Sequence, residues 1–313
     1  MRTRFLRSAL LTLFFMLCAA ASFAVEPVAG KNGMVASQHF LATEAGLQVL
    51  KEGGNAVDAA VTVGFVEAVV LPVAGNIGGG GFMMFYDAKT RKTVAIDFRE
   101  KAPAKASRDM FLGPDGNPDS EASQYSYRAV GVPGTVAGLT LALEKYGTIS
   151  LKRALKPAIE LAEKGFRVDP YLRATLVGAR KRLGASPASM AIFFKPDGSP
   201  YEVGEILVQK DLAKSLRAIA SRGRDGFHKG DVAKKIAADM AAHGGLITTN
   251  DLAAYRAAVR EPVHGTYRGY GIASMPPPSS GGVHLVQMLN ILEGFPKGFY
   301  GKGTPETISL MAE

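Results

Sequence analysis

Apolar positions along this chain recur with two periods, one of helices and one of strands. From residue 37 to 51 (SQHFLATEAGLQVLK) they return at helical spacing and stop at Gly53-Gly54, which predicts a helix with a glycine stop. Asn55 then caps AVDAAVTVGFVEAVV, which Pro72 terminates. That segment is apolar on most faces, so it reads as a helix buried in the core.

GFMMFYD and KTVAIDF, residues 81 to 87 and 92 to 98, are rich in aromatic and β-branched residues and flank the polar connection Ala88 to Arg91, a β-hairpin pattern. Pro114, Asp115, Gly116, Asn117 and Pro118 mark a surface loop. From Gly134 to about Arg256 the chain is mainly helical: GTVAGLTLALEKYG, LKRALKPAIELAEKG, PYLRATLVGARKRL, DLAKSLRAIASRG, DVAKKIAADMAAHGG and NDLAAYRAA, separated by Gly or Pro. A second strand pair, about 262 to 275, leads through PPPSSGG into the helical VHLVQMLNILEG. The final TPETISLMAE opens as a helix should, with Thr304 as N-cap and Pro305 at the first position. It has no closing signal, and the expectation is a chain cut short.

Composition narrows the class. The 313 residues are 47% hydrophobic and 21% charged, with 36 Gly, 17 Pro, one Cys and no Trp. Apolar content is ordinary, glycine shows no three-residue period, and a lone cysteine pairs with nothing, which excludes disorder, collagen and a disulfide scaffold. Residues 1–24 read as a secretory signal: Arg2, Arg4 and Arg7 precede an uncharged run from Ala9 to Ala21, and Ser22 and Ala24 are the small residues of a cleavage site. The run is too short for a membrane span. Leu17 stands where a lipoprotein signal wants a small residue, so no stable membrane anchor is expected. Cleavage removes Cys18 and with it thiol chemistry, zinc-thiolate sites and disulfides. The expected location is exported, and periplasmic in a host with two membranes.

Losing three arginines and no acid takes the formal charge from +9 to +6. Between Lys152 and Arg182 nine basic residues face Glu160, Glu163 and Asp169. Only Phe166 and Tyr171 lie among them as stacking aromatics, so a solvated helix face is expected and no nucleic-acid partner.

Candidate chemistry is sparse. His39, His228, His243, His264 and His284 are scattered, with no HExxH, so no metal is expected. The glycine-dense stretch Gly75 to Gly81 lacks the Lys-Ser/Thr ending of a phosphate loop and leads into a strand, which favours tight backbone packing over anion binding. Ser279-Ser280 and Thr248-Thr249 read as helix starts. Arg99, where the chain leaves the second hairpin strand, carries a fork suited to a carboxylate, or else an internal salt bridge to Asp97, Glu100 or another acid. The residues alone leave that choice open.

Taken in order, LKEGGNAVDAAV, AGNIGGGGFM, IDFREKAP, GVPGTVAGL, GGLITTNDLAAY and SMPPPSSGG resemble the γ-glutamyltransferase (γ-glutamyl transpeptidase, glutathione hydrolase) family, from about Gly33 to the end. The resemblance implies the α+β fold of an N-terminal-nucleophile hydrolase, an αββα sandwich of which residues 25–313 are part of the large-subunit region. It implies a precursor that cuts itself into a large and a small chain, the small chain beginning with the nucleophilic Thr, whose own amino group is the base. That Thr would lie beyond Glu313. The implied substrates are glutathione and other γ-glutamyl compounds, with water, amino acids or peptides as acceptors, and no cofactor. Arg99 occupies the family position that pairs with the α-carboxylate of the γ-glutamyl group. The rival expectations are an acylase or hydrolysis-specialised relative, and a non-catalytic periplasmic binder of a small anion.

Overall fold

A computed structural model describes residues 27–296 and 303–312. The expected signal segment 1–24, with Cys18, lies outside the described residues. The chain divides into two compact units, residues 1–34 and 35–313. Residues 27–34 of the first carry no helix or strand, and everything below concerns the second.

Helix α1 (Phe40–Lys51) is capped by His39, whose Nδ1 accepts from Leu41 N. Helix α2 (Ala56–Val70) starts at Asn55 with a reciprocal capping box to Asp58. As its pattern predicts, α2 is buried: Val61, Phe65, Val66 and Val69 have no exposed surface. Asp58 is the polar exception. Its carboxylate accepts from Asn55 N (2.8 Å), Thr148 N (2.7 Å), Thr148 Oγ1 (2.6 Å) and Ile149 N (3.2 Å), tying the loop after a later helix to α2.

The first hairpin is β1 (Phe82–Asp87) and β2 (Lys92–Asp97), paired from Phe82 opposite Asp97 to Asp87 opposite Lys92. Then come α3 (Ser120–Tyr125), α4 (Thr135–Tyr146), α5 (Leu151–Lys164), β3 (Phe166–Arg167), α6 (Pro170–Leu183), α7 (Pro187–Phe193), β4 (Ile206–Leu207), α8 (Lys210–Arg222), α9 (Asp225–His228), α10 (Gly230–Ala242) and α11 (Thr249–Ala254). Helix α2 packs against α1, α4 and α5, and α5 against α8. Strand β5 (Ala258–Arg260) follows, then the hairpin β6 (Val263–Tyr267) and β7 (Tyr270–Ser274), α12 (Gly281–Glu293) and α13 (Pro305–Ala312).

Among the described residues, the strands make one three-stranded antiparallel sheet, β1-β2-β5, and the two pairs β3-β4 and β6-β7. The expected mixture of helix and sheet stands. The helical reading of NDLAAYRAA ran too far: Ala258 faces Asp97 in the sheet and Val259 faces Ile96. Pairing with the open edge of β2 outweighs the helical preference of alanine.

The predicted basic stretch is solvated. Eight of its nine basic residues are exposed and Arg173 is half-buried, pairing with Glu202 at 2.6 Å. Arg153 pairs with Glu52, and Arg217 of α8 with Glu163 of α5. No helix of the described residues is long and apolar enough to cross a membrane.

Candidate functional site

Strand β2 ends on a buried acid and releases the chain at Arg99. Ala95 and Ile96 have no exposed surface, and Asp97 is 5% exposed. Phe98 packs its ring on Gly138 of α4, where a Cβ would lie 2.1 Å from Phe98 Cγ, so glycine lets the helix close on the strand. The sheet carries on for one more step, since Gly81 and Phe98 exchange backbone bonds of 3.3 and 3.1 Å. Beyond it, Lys101 and Val132 bridge in the same way at 3.2 and 2.7 Å.

Arg99 therefore sits between two pinned stretches. Its own N–H donates to Asp97 Oδ1 (3.0 Å), and Asp97 Oδ2 accepts from Arg260 Nε (2.8 Å), the residue that β5 brings alongside. Its carbonyl accepts from the Tyr255 hydroxyl at 2.8 Å. The side chain is 59% exposed, with Nη1 2.5 Å from Glu100 Oε2. Asp97 and Glu100 are the acids beside it in sequence. Asp97 binds the main chain of Arg99, and Glu100 takes one donor of the five-donor fork.

Tyr255 ends α11 and is 3% exposed. Burial pushes its phenol well above the ordinary range, and the charges of Asp97 and Glu100 push the same way, so it stays a neutral donor. Its ring stacks on His228 at 5.5 Å, and Lys101 Nζ lies 5.0 Å from its centroid. His228 is fully buried; its Nδ1 donates to Leu252 O (3.0 Å) and its Nε2 has no partner. Burial, with the nearby Arg224 charge, lowers its pKa to about 4, so the imidazole is neutral at physiological pH.

The glycine loop is a structural part of this wall. Gly79 O accepts from Gly134 N (2.7 Å) and Thr135 N (3.0 Å), closing the start of α4 with a protein carbonyl. Asn76 Oδ1 accepts from Gly79 N and the Thr135 hydroxyl, both at 2.7 Å. A Cβ on Gly80 would lie 2.6 Å from Phe98 O. Tight backbone packing, the expected reading, accounts for these positions.

The serine and threonine pairs are helix starts as expected. Ser279 Oγ accepts from Gly281 N at 3.2 Å, and Thr248 forms a capping box with Asp251. A Cβ on Gly282 would lie 2.1 Å from Met275 O, close packing that only glycine allows. Among the described residues, no three His, Cys, Asp or Glu side chains are grouped to hold a metal ion. Sequence reasoning missed Tyr255 as a member of the Arg99 region. It lies inside one of the recognised motifs, but nothing local shows that its hydroxyl meets a carbonyl 156 residues away.

Comparison with known proteins bears on this geometry. The family model described as Gamma-glutamyltranspeptidase matches residues 42–313. The chain is 54% identical over 289 residues to the glutathione hydrolase proenzyme of Escherichia coli (strain K12), covering 92% of this chain and 50% of that protein. It is 42% identical over 294 residues to the acylase ACY 1 proenzyme of Pseudomonas sp. (strain SE83), covering 92% of this chain and 52% of that protein. The crystal structure of Helicobacter pylori gamma-glutamyltranspeptidase matches with a TM-score of 0.89 at 48% identity, covering 92% of this chain and 82% of that one. The chain spans about half the length of the curated relatives it matches.

Proposed function

The chain belongs to the gamma-glutamyltranspeptidase family, and on that premise we propose that it is large-subunit sequence of an exported γ-glutamyltransferase and glutathione hydrolase. In this reading residues 1–24 are a signal peptide and residues 25–313 part of the large-subunit region. The enzyme cleaves the γ-glutamyl amide of glutathione and related compounds through an acyl-enzyme and passes the glutamyl group to water, amino acids or peptides. The nucleophile is the N-terminal Thr of the small chain, a partner cut from the same precursor. Proenzyme names among the relatives support the processing. The exposed apolar residues Leu285, Met288 and Ile291 of α12 are a face such a partner would cover.

The observation that carries the reading is Arg99: a solvent-facing guanidinium on a firmly held main chain at a strand end, at the family position that pairs with the donor α-carboxylate. Charge recognition there holds the scissile carbonyl in position for attack. The test is donor kinetics of the processed enzyme with a chromogenic γ-glutamyl anilide. Arg99→Ala and Arg99→Gln are expected to raise donor KM roughly 10- to 100-fold, the worth of one charge-assisted hydrogen-bond pair, with activity recovered at high substrate. An unchanged donor KM removes Arg99 from the site. The acylase relative favours a second reading, acylase action on an amide other than a γ-glutamyl one. Side-by-side rates on a γ-glutamyl anilide and a glutaryl amide, which lacks the α-amino and α-carboxylate groups, separate the two.

A further inference from the structure

The side chain of Arg99 has little to aim it. More than half of it is exposed, and among the described residues its side chain pairs with Glu100, its neighbour in sequence. An exposed ion pair of this kind holds a geometry weakly. What the fold does fix is the Arg99 main chain from which the guanidinium reaches out, and it is gripped on both polar groups by side chains: the N–H by Asp97 and the C=O by Tyr255.

Of these two, Tyr255 comes from outside the sheet and is held from several directions. Its main-chain carbonyl accepts from Arg224 Nη2 (2.7 Å) and Arg256 Nη1 (2.7 Å), and Arg224 Nη2 also reaches Ala253 O (2.7 Å). Its ring lies against neutral His228, which the Leu252 carbonyl anchors in turn. Room for the hydroxyl depends on a missing side chain, because a Cβ on Gly134 would sit 2.2 Å from Tyr255 Oη and 2.0 Å from Phe98 O. The burial, the stacking and the neutral phenol all serve one short bond, and its acceptor is the carbonyl of the residue proposed to bind the donor.

We infer that Tyr255 is a positioning residue for donor recognition: by holding the Arg99 carbonyl it fixes the backbone from which the guanidinium reaches an arriving carboxylate. This rests on the reading of Arg99 as the carboxylate-binding residue. Tyr255 touches no substrate. Its removal lets the 99–100 peptide rotate, so donor affinity falls while the chemical step proceeds as before once the donor is bound.

The test is a double-mutant cycle in the processed enzyme: wild type, Tyr255→Phe, Arg99→Ala and the pair. Tyr255→Phe keeps the ring on His228 and deletes only the donor. It is expected to raise donor KM about three- to tenfold, the range for one neutral hydrogen bond, with kcat within about twofold. Added to Arg99→Ala it is expected to change donor KM no further. A donor with its α-carboxylate converted to the amide is expected to feel neither change. Equal factors for Tyr255→Phe with and without Arg99 overturn the inference, as does a loss confined to kcat or thermal stability. If Arg99→Ala raises donor KM and Tyr255→Phe does not, the inference falls and the reading of Arg99 stands. If Arg99→Ala leaves donor KM unchanged, both fall. Should Tyr255→Phe not fold, the cycle is repeated with Tyr255→His, which keeps a flat ring against His228 and loses the phenol, and the same signature is required.

Discussion

Asp58 offers the sharpest test of how this scaffold is held together. It is fully buried on α2, and its two oxygens accept four bonds of 2.6 to 3.2 Å from Asn55, Thr148 and Ile149. Hydrogen bonds to a charged group are worth ~1.5–3 kcal/mol each, and burying the charge offsets several kcal/mol of their sum. Asp58→Ala also leaves three N–H groups and a hydroxyl without their acceptor, so the expected loss is about 3–5 kcal/mol. At about 2 °C of Tm per kcal/mol, the lower end of the range because the chain is longer than about 250 residues, Tm falls by roughly 6–10 °C. Asp58→Asn keeps the shape but turns an amide N–H₂ toward donors, and is expected to cost about 2–3 kcal/mol. Acid supplies a second reading of the same bonds. Burial pushes the carboxyl up, but the bonds from Thr148, Asn55 and Ile149 outweigh it and hold the pKa below its ordinary 3.8. A folded-state pKa below the unfolded one gives stability that is present above the unfolded value and lost as pH falls through the folded one. The gap between wild type and Asp58→Asn should therefore narrow below about pH 3.8. Calorimetry and urea unfolding across pH measure both effects. A loss under about 1 kcal/mol for Asp58→Ala at neutral pH would refute the claim that this carboxylate ties the 147–149 loop to the core.

Gly138→Ala is expected to destabilise by at least ~1–3 kcal/mol, because the new methyl would meet the Phe98 ring at 2.1 Å, and a Tm within 1–2 °C of wild type contradicts the close packing. His228 has a folded pKa of about 4 against an ordinary 6.5, so the unfolded chain takes up the proton first and stability drains as pH falls through that window. The drop is about 3 kcal/mol at most, and His228→Gln should flatten it between pH 6.5 and 4 in urea-unfolding midpoints; an unaltered slope rejects the assignment. The 313-residue polypeptide by itself is expected to show no turnover of a γ-glutamyl anilide, since the proposed nucleophile belongs to the small chain; turnover by the purified polypeptide overturns that.

Periodicity made the longer helices and both hairpins legible because each is a local pattern, most with a start or stop signal, whereas the short α3, α7 and α9 and the two-residue strands β3 and β4 carry too little pattern to be singled out. Asn55, Ser150, Asp169 and Thr248 stand at helix starts and cap them with their side chains. Strand β5 was not legible: three residues carry almost no pattern, and they are a strand only because β2 has an open edge beside them. The candidate site divides in the same way. Arg99 could be singled out from its place at a strand end, and the glycines from their density. Tyr255, His228 and Arg224 could not, because their roles are contacts across 24 to 156 residues of sequence.

The Arg99–Glu100 contact limits what Arg99 can contribute on the proposed reading. A donor carboxylate does not meet a bare guanidinium; it meets one already paired at 2.5 Å with the half-buried Glu100. Exposed pairs are worth ~0–1 kcal/mol, so displacing Glu100 costs little, and the five donors of arginine allow it to be shared instead. The affinity gained is then the difference between two carboxylate contacts. That difference is large only if the incoming carboxylate is held at a fixed place and shielded from water, which depends on the rigid main chain beneath Arg99 and on the groups that cover the bound donor. Glu100→Gln separates these terms. Removing the internal competitor should lower donor KM by a few-fold if exchange governs recognition, and a raised KM would mean that Glu100 aims the guanidinium instead of competing for it.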